Sequence, residues 1–165
     1  MKKIVLILIA GLGINACGFQ LAAKANLDPM FAQTHIDYQI DTAAMADLLA
    51  AQFRANDMQL VDSTDASAKL KLLYEKKSKD ILSVDENGKV REYELILQVG
   101  IKLSDADGEV IIRNQEIRLS RDFLFEINDV LGKSSEREQI YQEMREDIAR
   151  LIIYRLQAIS SLTAE

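Results

Sequence analysis

The chain has 165 residues, 48% hydrophobic, 28% charged and 6% aromatic, and a formal charge of −6 from 20 basic and 26 acidic side chains. These values fit one folded domain and argue against wholesale disorder and against general nucleic-acid binding. One cysteine excludes an internal disulfide. One histidine leaves little room for a conventional metal site or histidine-based catalysis, and nothing in the composition calls for a cofactor.

The N-terminus is a different physical class of sequence. Lys2 and Lys3 precede an uncharged run from Ile4 to Ile14. As a helix this run would reach only about 16 Å, roughly half the hydrocarbon thickness of a bilayer. A basic start, a short apolar centre and small residues afterwards predict an export signal over residues 1–16. The single cysteine, Cys17, follows at the expected cut. Ile14-Asn15-Ala16-Cys17 resembles a bacterial lipobox, which implies a diacylglycerol on the sulfur and an acyl group on the new amine. A thiolate is the nucleophile such chemistry needs, and two or three acyl chains hold a protein firmly at a membrane. Cleavage would leave 149 residues with 18 basic and 26 acidic side chains, a net −8.

Residues 17–33 carry no sustained period and read as a tether, with a turn at Asp28-Pro29. Residues 34–162 read as one domain. His35 to Ile40 alternates and predicts a strand with Ile36, Tyr38 and Ile40 on one face. Asp41 or Thr42 can cap a helix to about Asn56, with Met45, Leu48, Leu49, Gln52 and Phe53 on its buried stripe and a left-handed stop at Asn56-Asp57. Gln59 to Val61 is a short extended piece. Ala68 to Lys76 alternates again, setting Leu70, Leu72 and Tyr74 against Lys69, Lys71 and Glu75.

Asn87-Gly88 predicts a hairpin, followed by apolar residues at every second position from Tyr93 to Leu103. Asp107-Gly108 supplies the next turn, and Val110 to Phe125 returns. A calcium loop at Asp105, Asp107 and Glu109 lacks the further oxygen ligands, so a plain turn is the better reading. Ser135 with Glu138 forms a capping box for a last helix carrying Ile140, Met144, Ile148, Ile152 and Leu156 on one side. Two amphipathic helices and one single-faced sheet satisfy each other by stacking. The expected fold is an α+β two-layer sandwich, two helices on one face of a mostly antiparallel four-stranded sheet.

One charge feature stands against the acidic background: Lys69, Lys71, Lys76, Lys77 and Lys79 lie within eleven residues. They read either as a solvated strand face that discourages edge pairing or as a patch for phosphates on a lipid or polysaccharide, which Lys133, before the last helix, could join.

Several segments together resemble the LptE family of lipopolysaccharide-assembly lipoproteins. These are Cys17-Gly18-Phe19-Gln20-Leu21 at the lipidated start, Gln52 to Asp62 at the exit of the first helix, Glu92-Tyr93-Glu94-Leu95 after the hairpin, Arg121-Asp122-Phe123 at the end of the last strand, and Glu143-Met144-Arg145 with Asp147, Arg155 and Leu156 in the final helix. The resemblance implies a non-enzymatic outer-membrane lipoprotein of Gram-negative bacteria, lipid-anchored at Cys17 on the periplasmic side. It further implies a plug in an LptD-type outer-membrane β-barrel that assists the barrel's assembly and takes part in lipopolysaccharide transport. The family carries basic positions near the hairpin and before the last helix, associated with lipopolysaccharide contact. Lys133 matches the second; at the first this chain has Glu86, with Lys89 beyond the turn. The alternative is a free-standing lipoprotein binding an anionic amphiphile through the lysine-rich strand. A hydrolase using Glu92 and Glu94 is disfavoured, because alternation puts both on the exposed face.

Overall fold

A computed structural model describes residues 27–125 and 130–163. The expected signal, Cys17 and the first part of the tether lie outside the described residues.

Strands β1 (Gln33–Asp37), β2 (Gln59–Leu60), β3 (Ala68–Val84), β4 (Val90–Asp105) and β5 (Val110–Leu124) form one sheet in the order β2-β1-β3-β4-β5. Helices α1 (Ala43–Ala55) and α2 (Val130–Thr163) cover one face. The antiparallel meander β3-β4-β5 is the expected one, and the α+β two-layer class holds. The sheet has five strands rather than four and is mixed. The short piece after α1 pairs as parallel β2 on β1, and β1 is itself parallel to β3.

The helix stripes follow from periodicity. Met45, Leu49 and Phe53 of α1 and Met144, Ile148, Ile152 and Leu156 of α2 are fully buried against Leu70, Leu95, Leu97, Val99, Ile101 and Leu103. Asp57 terminates α1 with φ 61°, as the Asn-Asp stop predicts. The core reaches back to Phe31, fully buried in a 3-10 turn, Pro29–Phe31, whose preceding Asp28 accepts a hydrogen bond from the Met30 amide at 2.8 Å.

Three boundaries differ from expectation. Strand β1 ends at Asp37, because the Thr42 hydroxyl and the Gln39 backbone bond to each other and close a 3-10 turn over Ile40–Thr42. Of the expected inward stripe only Ile36 packs on the core; Tyr38 is half exposed and Ile40 projects into solvent. Helix α2 already runs from Val130, so Ser135 and Glu138 lie within it rather than at its N-cap, and Lys133 sits in its first turns, not in a loop before it.

The third difference is in β3, which continues past Lys76 to Val84 and carries an extra residue. Its register passes from Leu72 opposite Ile101 to Tyr74 opposite Gly100, leaving Leu73 unpaired as a bulge. On β4 the helix-facing set 95, 97, 99, 101 and 103 is unbroken and wholly buried. On β3 the helix-facing set therefore switches from Leu70 and Leu72 to Glu75, Lys77 and Lys79. A one-residue slip moves every later side chain to the other face.

Both long hairpins close in one way. Asp85 and Asp105 each accept the amide four residues on, Lys89 N at 2.9 Å and Glu109 N at 2.8 Å, around Gly88 (φ 76°) and Gly108 (φ 88°). The Asp105–Glu109 segment is thus a hairpin turn, as the sequence suggested.

Candidate functional site: two basic clusters on opposite faces of the sheet

The bulge at Leu73 divides the lysine run. Lys69, Lys71 and Lys76 stand on the open face of the sheet, away from the helices, while Lys77 and Lys79 stand on the helix face. The five do not form one patch.

On the helix face the run ends in an aromatic ledge. Lys79 Nζ lies 4.4 Å from the centroid of the Tyr93 ring, and Lys133 Nζ lies 5.8 Å from that of Phe123. Tyr93 and Phe123 are directly paired across β4 and β5, so the structure brings Lys79 and Lys133 to neighbouring rings although 54 positions separate them. Phe125 meets Tyr93 edge-on at 5.7 Å. Lys77 is tied into the same face, 2.8 Å from Glu138 and 4.9 Å from the Tyr141 ring. That ion pair, led by the hydrogen bond from Lys77, holds the Glu138 carboxyl below the usual carboxylate range. Lys133 pairs with Glu136 at 2.8 Å. Lys89 is exposed just past the β3–β4 turn. Beside it, the ends of β3 and β5 expose Ile81, Leu82, Val84 and Leu124, between 46% and 61% open to solvent.

Ionic bonds fix α2 above this ledge. Arg121 on β5 reaches Glu143 at 2.6 Å and Asp147 at 2.5 Å, and Arg145 reaches the buried Glu75 at 2.8 Å. The partner of these helix acids on the sheet becomes visible only once the layers are stacked.

On the open face, the registers of β1, β3 and β4 place His35, Lys69 and Ser104 in one row and Asp37, Lys71 and Lys102 in the next. Lys71 pairs with Asp37 at 2.7 Å. Farther along, past the bulge, Glu116 accepts from Gln98 at 3.0 Å and from the Tyr74 hydroxyl at 2.7 Å, which together hold its carboxyl below the ordinary range and push the Tyr74 phenol up. Glu92 and Glu94 stand on this face too, bonded to Ser83 and facing Arg118, respectively. Among the described residues no three His, Cys, Asp or Glu side chains group as metal ligands, and no described helix is long and apolar enough to cross a membrane.

Two amphipathic helices stacked on a mixed sheet with long paired hairpins are the fold of a known class of bacterial lipoproteins. The rare lipoprotein B of Shewanella oneidensis superimposes with a TM-score of 0.71 at 25% identity, over 81% of this chain and 99% of that one. A lipoprotein B of Nitrosomonas europaea gives 0.70 at 29% identity, over 89% and 93%. In sequence, the LPS-assembly lipoprotein LptE of Photorhabdus laumondii is 29% identical across 160 residues, covering 94% of this chain and 87% of that protein. The family model for LptE, described as lipopolysaccharide-assembly, matches residues 31–156, from the first core aromatic to the last core leucine of α2. The chain belongs to the LptE family of lipopolysaccharide-assembly lipoproteins.

Proposed function

We propose that the protein is lipid-anchored through Cys17 at the periplasmic side of the outer membrane. There it plugs and assists assembly of an LptD-type β-barrel and takes part in moving lipopolysaccharide to the cell surface, with no catalytic step of its own. The family match over residues 31–156 carries this reading. Two features of the fold support it. At the hairpin end of the sheet β3 exposes Ile81, Leu82 and Val84 and β5 exposes Leu124, large apolar side chains suited to being covered by a larger partner. The ledge sets Lys79 over the partly open ring of Tyr93, an ammonium for a lipid phosphate beside a ring that can meet an apolar chain, with Lys133 next to it over the buried Phe123.

At the tip of the first hairpin Glu86 stands beside Asn87-Gly88, and the basic position, Lys89, comes just past the turn. We take the ledge, rather than the turn, as the contact for lipopolysaccharide, with Lys77 adding local charge on the same face and Lys76 facing away. Photocrosslinking from position 81 or 124 in living cells tests the reading. The expected product is an adduct with one large barrel protein, whereas position 65, on the far side of the fold, yields none. Adducts from neither apolar position would overturn it.

A further inference from the structure

The open face carries a feature the barrel and lipopolysaccharide reading does not use. In a β-sheet, like charges directly opposite one another are destabilising, yet Lys71 stands opposite Lys102, and Lys69 lies two residues away on the same face. Asp37 answers Lys71 alone, and Lys69 has only a long contact of 3.4 Å to the Ala106 carbonyl. Lys102 has no carboxylate partner among the described residues and is half-buried. Three ammonium groups against one carboxylate thus concentrate positive charge in a chain whose total is −6.

These side chains line a hollow of about 220 Å³, whose wall also includes the Ser104 and Ser63 side chains. His35 completes the wall, its Nδ1 donating to the Val61 carbonyl at 3.0 Å. The hollow lies ten residues along β3 from Lys79, roughly 30 Å away, and on the opposite face.

We propose that this hollow is a binding site for a phosphate-class anion, held by Lys69, Lys71 and Lys102 with the hydroxyls of Ser63 and Ser104. The donor chemistry selects the ligand. Planar carboxylates are best matched by the rigid fork of arginine, whereas lysines with rotatable N–H groups, together with hydroxyls, suit a tetrahedral oxyanion. Binding would relieve the Lys71–Lys102 repulsion. The proposal is independent of the barrel partner.

Titration calorimetry on the full chain in non-ionic detergent, first with inorganic phosphate and then with monomeric dihexanoyl phosphatidic acid, tests the site and distinguishes its source. Lys71→Gln and Lys102→Gln each should weaken phosphate binding about tenfold, and the triple variant with Lys69→Gln should remove it. Lys76→Gln, past the bulge, should leave it unchanged. Phosphate should raise the melting temperature of the wild type and not that of the triple variant, which must itself melt no lower than the wild type without ligand. Tighter binding of the phosphatidic acid, competing with phosphate, makes the ligand a lipid headgroup; equal binding makes the free anion sufficient. Absent phosphate binding by the wild type, or equal binding by the triple variant, would overturn the proposal.

Discussion

Arg145 on α2 donates from Nε to Oε1 of Glu75 on β3 at 2.8 Å, and the two side chains are only 12% and 5% exposed. Glu75 is on the helix face because of the bulge at Leu73, and its second oxygen has no hydrogen-bond partner. Removing one member of a buried pair leaves an uncompensated charge, at a cost of about 3 kcal/mol, whereas replacing both by apolar side chains is close to neutral. Arg145→Met should therefore lower the free energy of urea unfolding by that amount, and the Glu75→Leu, Arg145→Met double variant should recover most of it. Additive losses in the double variant would show that the pair is not coupled.

Tyr141 binds the layers through a neutral bond. Its hydroxyl donates to the Ser78 carbonyl at 2.7 Å, and burial pushes its phenol pKa up. Tyr141→Phe leaves that carbonyl unsatisfied while keeping the ring, so a loss of about 1 kcal/mol is expected by chemical denaturation. An unchanged midpoint would mean water takes over the carbonyl.

The Lys77–Glu138 pair sets a pH dependence whose sign follows from the lowered Glu138 carboxyl. A depressed folded-state pKa contributes stability that is present above the unfolded value, about 4.3, and is lost as the pH falls through the folded one. Because Glu138 is more than half exposed, the effect is a few tenths of a kcal/mol. Lys77→Gln should be less stable than the wild type at pH 7, and the gap should close on acidification to about pH 3. A gap independent of pH would assign the loss to the stacking of Lys77 on Tyr141 instead.

At Gly100 the constraint is steric. A Cβ built there would lie 2.5 Å from Cε1 of Tyr74, the ring that also donates to Glu116. Gly100→Ala must swing the ring away and break that bond, which should cost about 1–2 kcal/mol. In a Tyr74→Ala background the same change should be harmless or favourable, because alanine suits a strand better than glycine. A thermal-melt comparison of the two backgrounds checks both expectations.

Much of the architecture was legible in residue order. The two turns were marked by Asn87-Gly88 and Asp107-Gly108, the buried faces by the period of β4 and of both helices, and the end of α1 by Asn56-Asp57. The basic clusters were not. Alternation carried through Leu73 places Lys69, Lys71, Lys77 and Lys79 on one face, and a single unpaired residue overturns that. A bulge is a property of the pairing between strands, and Leu73 itself is an ordinary strand residue. Likewise Lys102 is unremarkable within its own strand. It gains meaning only from its register opposite Lys71, and Lys79 and Lys133 meet only through the Tyr93–Phe123 pair.

The start of α2 was misplaced for a related reason. Ser135 and Glu138 have the spacing of a cap, yet Lys133, just before them, pairs with Glu136 and the helix continues back to Val130. A capping box is a local preference of about 1 kcal/mol, which packing elsewhere along a helix of 34 residues can override.

Affinity purification of the tagged chain from detergent-solubilised outer membranes, with intact mass measured on every component, tests the central claim most directly. The account predicts an acyl-modified chain recovered in about equal amount with one large β-barrel protein, and Cys17→Ser lacking the acyl mass. Recovery of the chain alone, or of an unmodified thiol at Cys17 in the wild type, would contradict it.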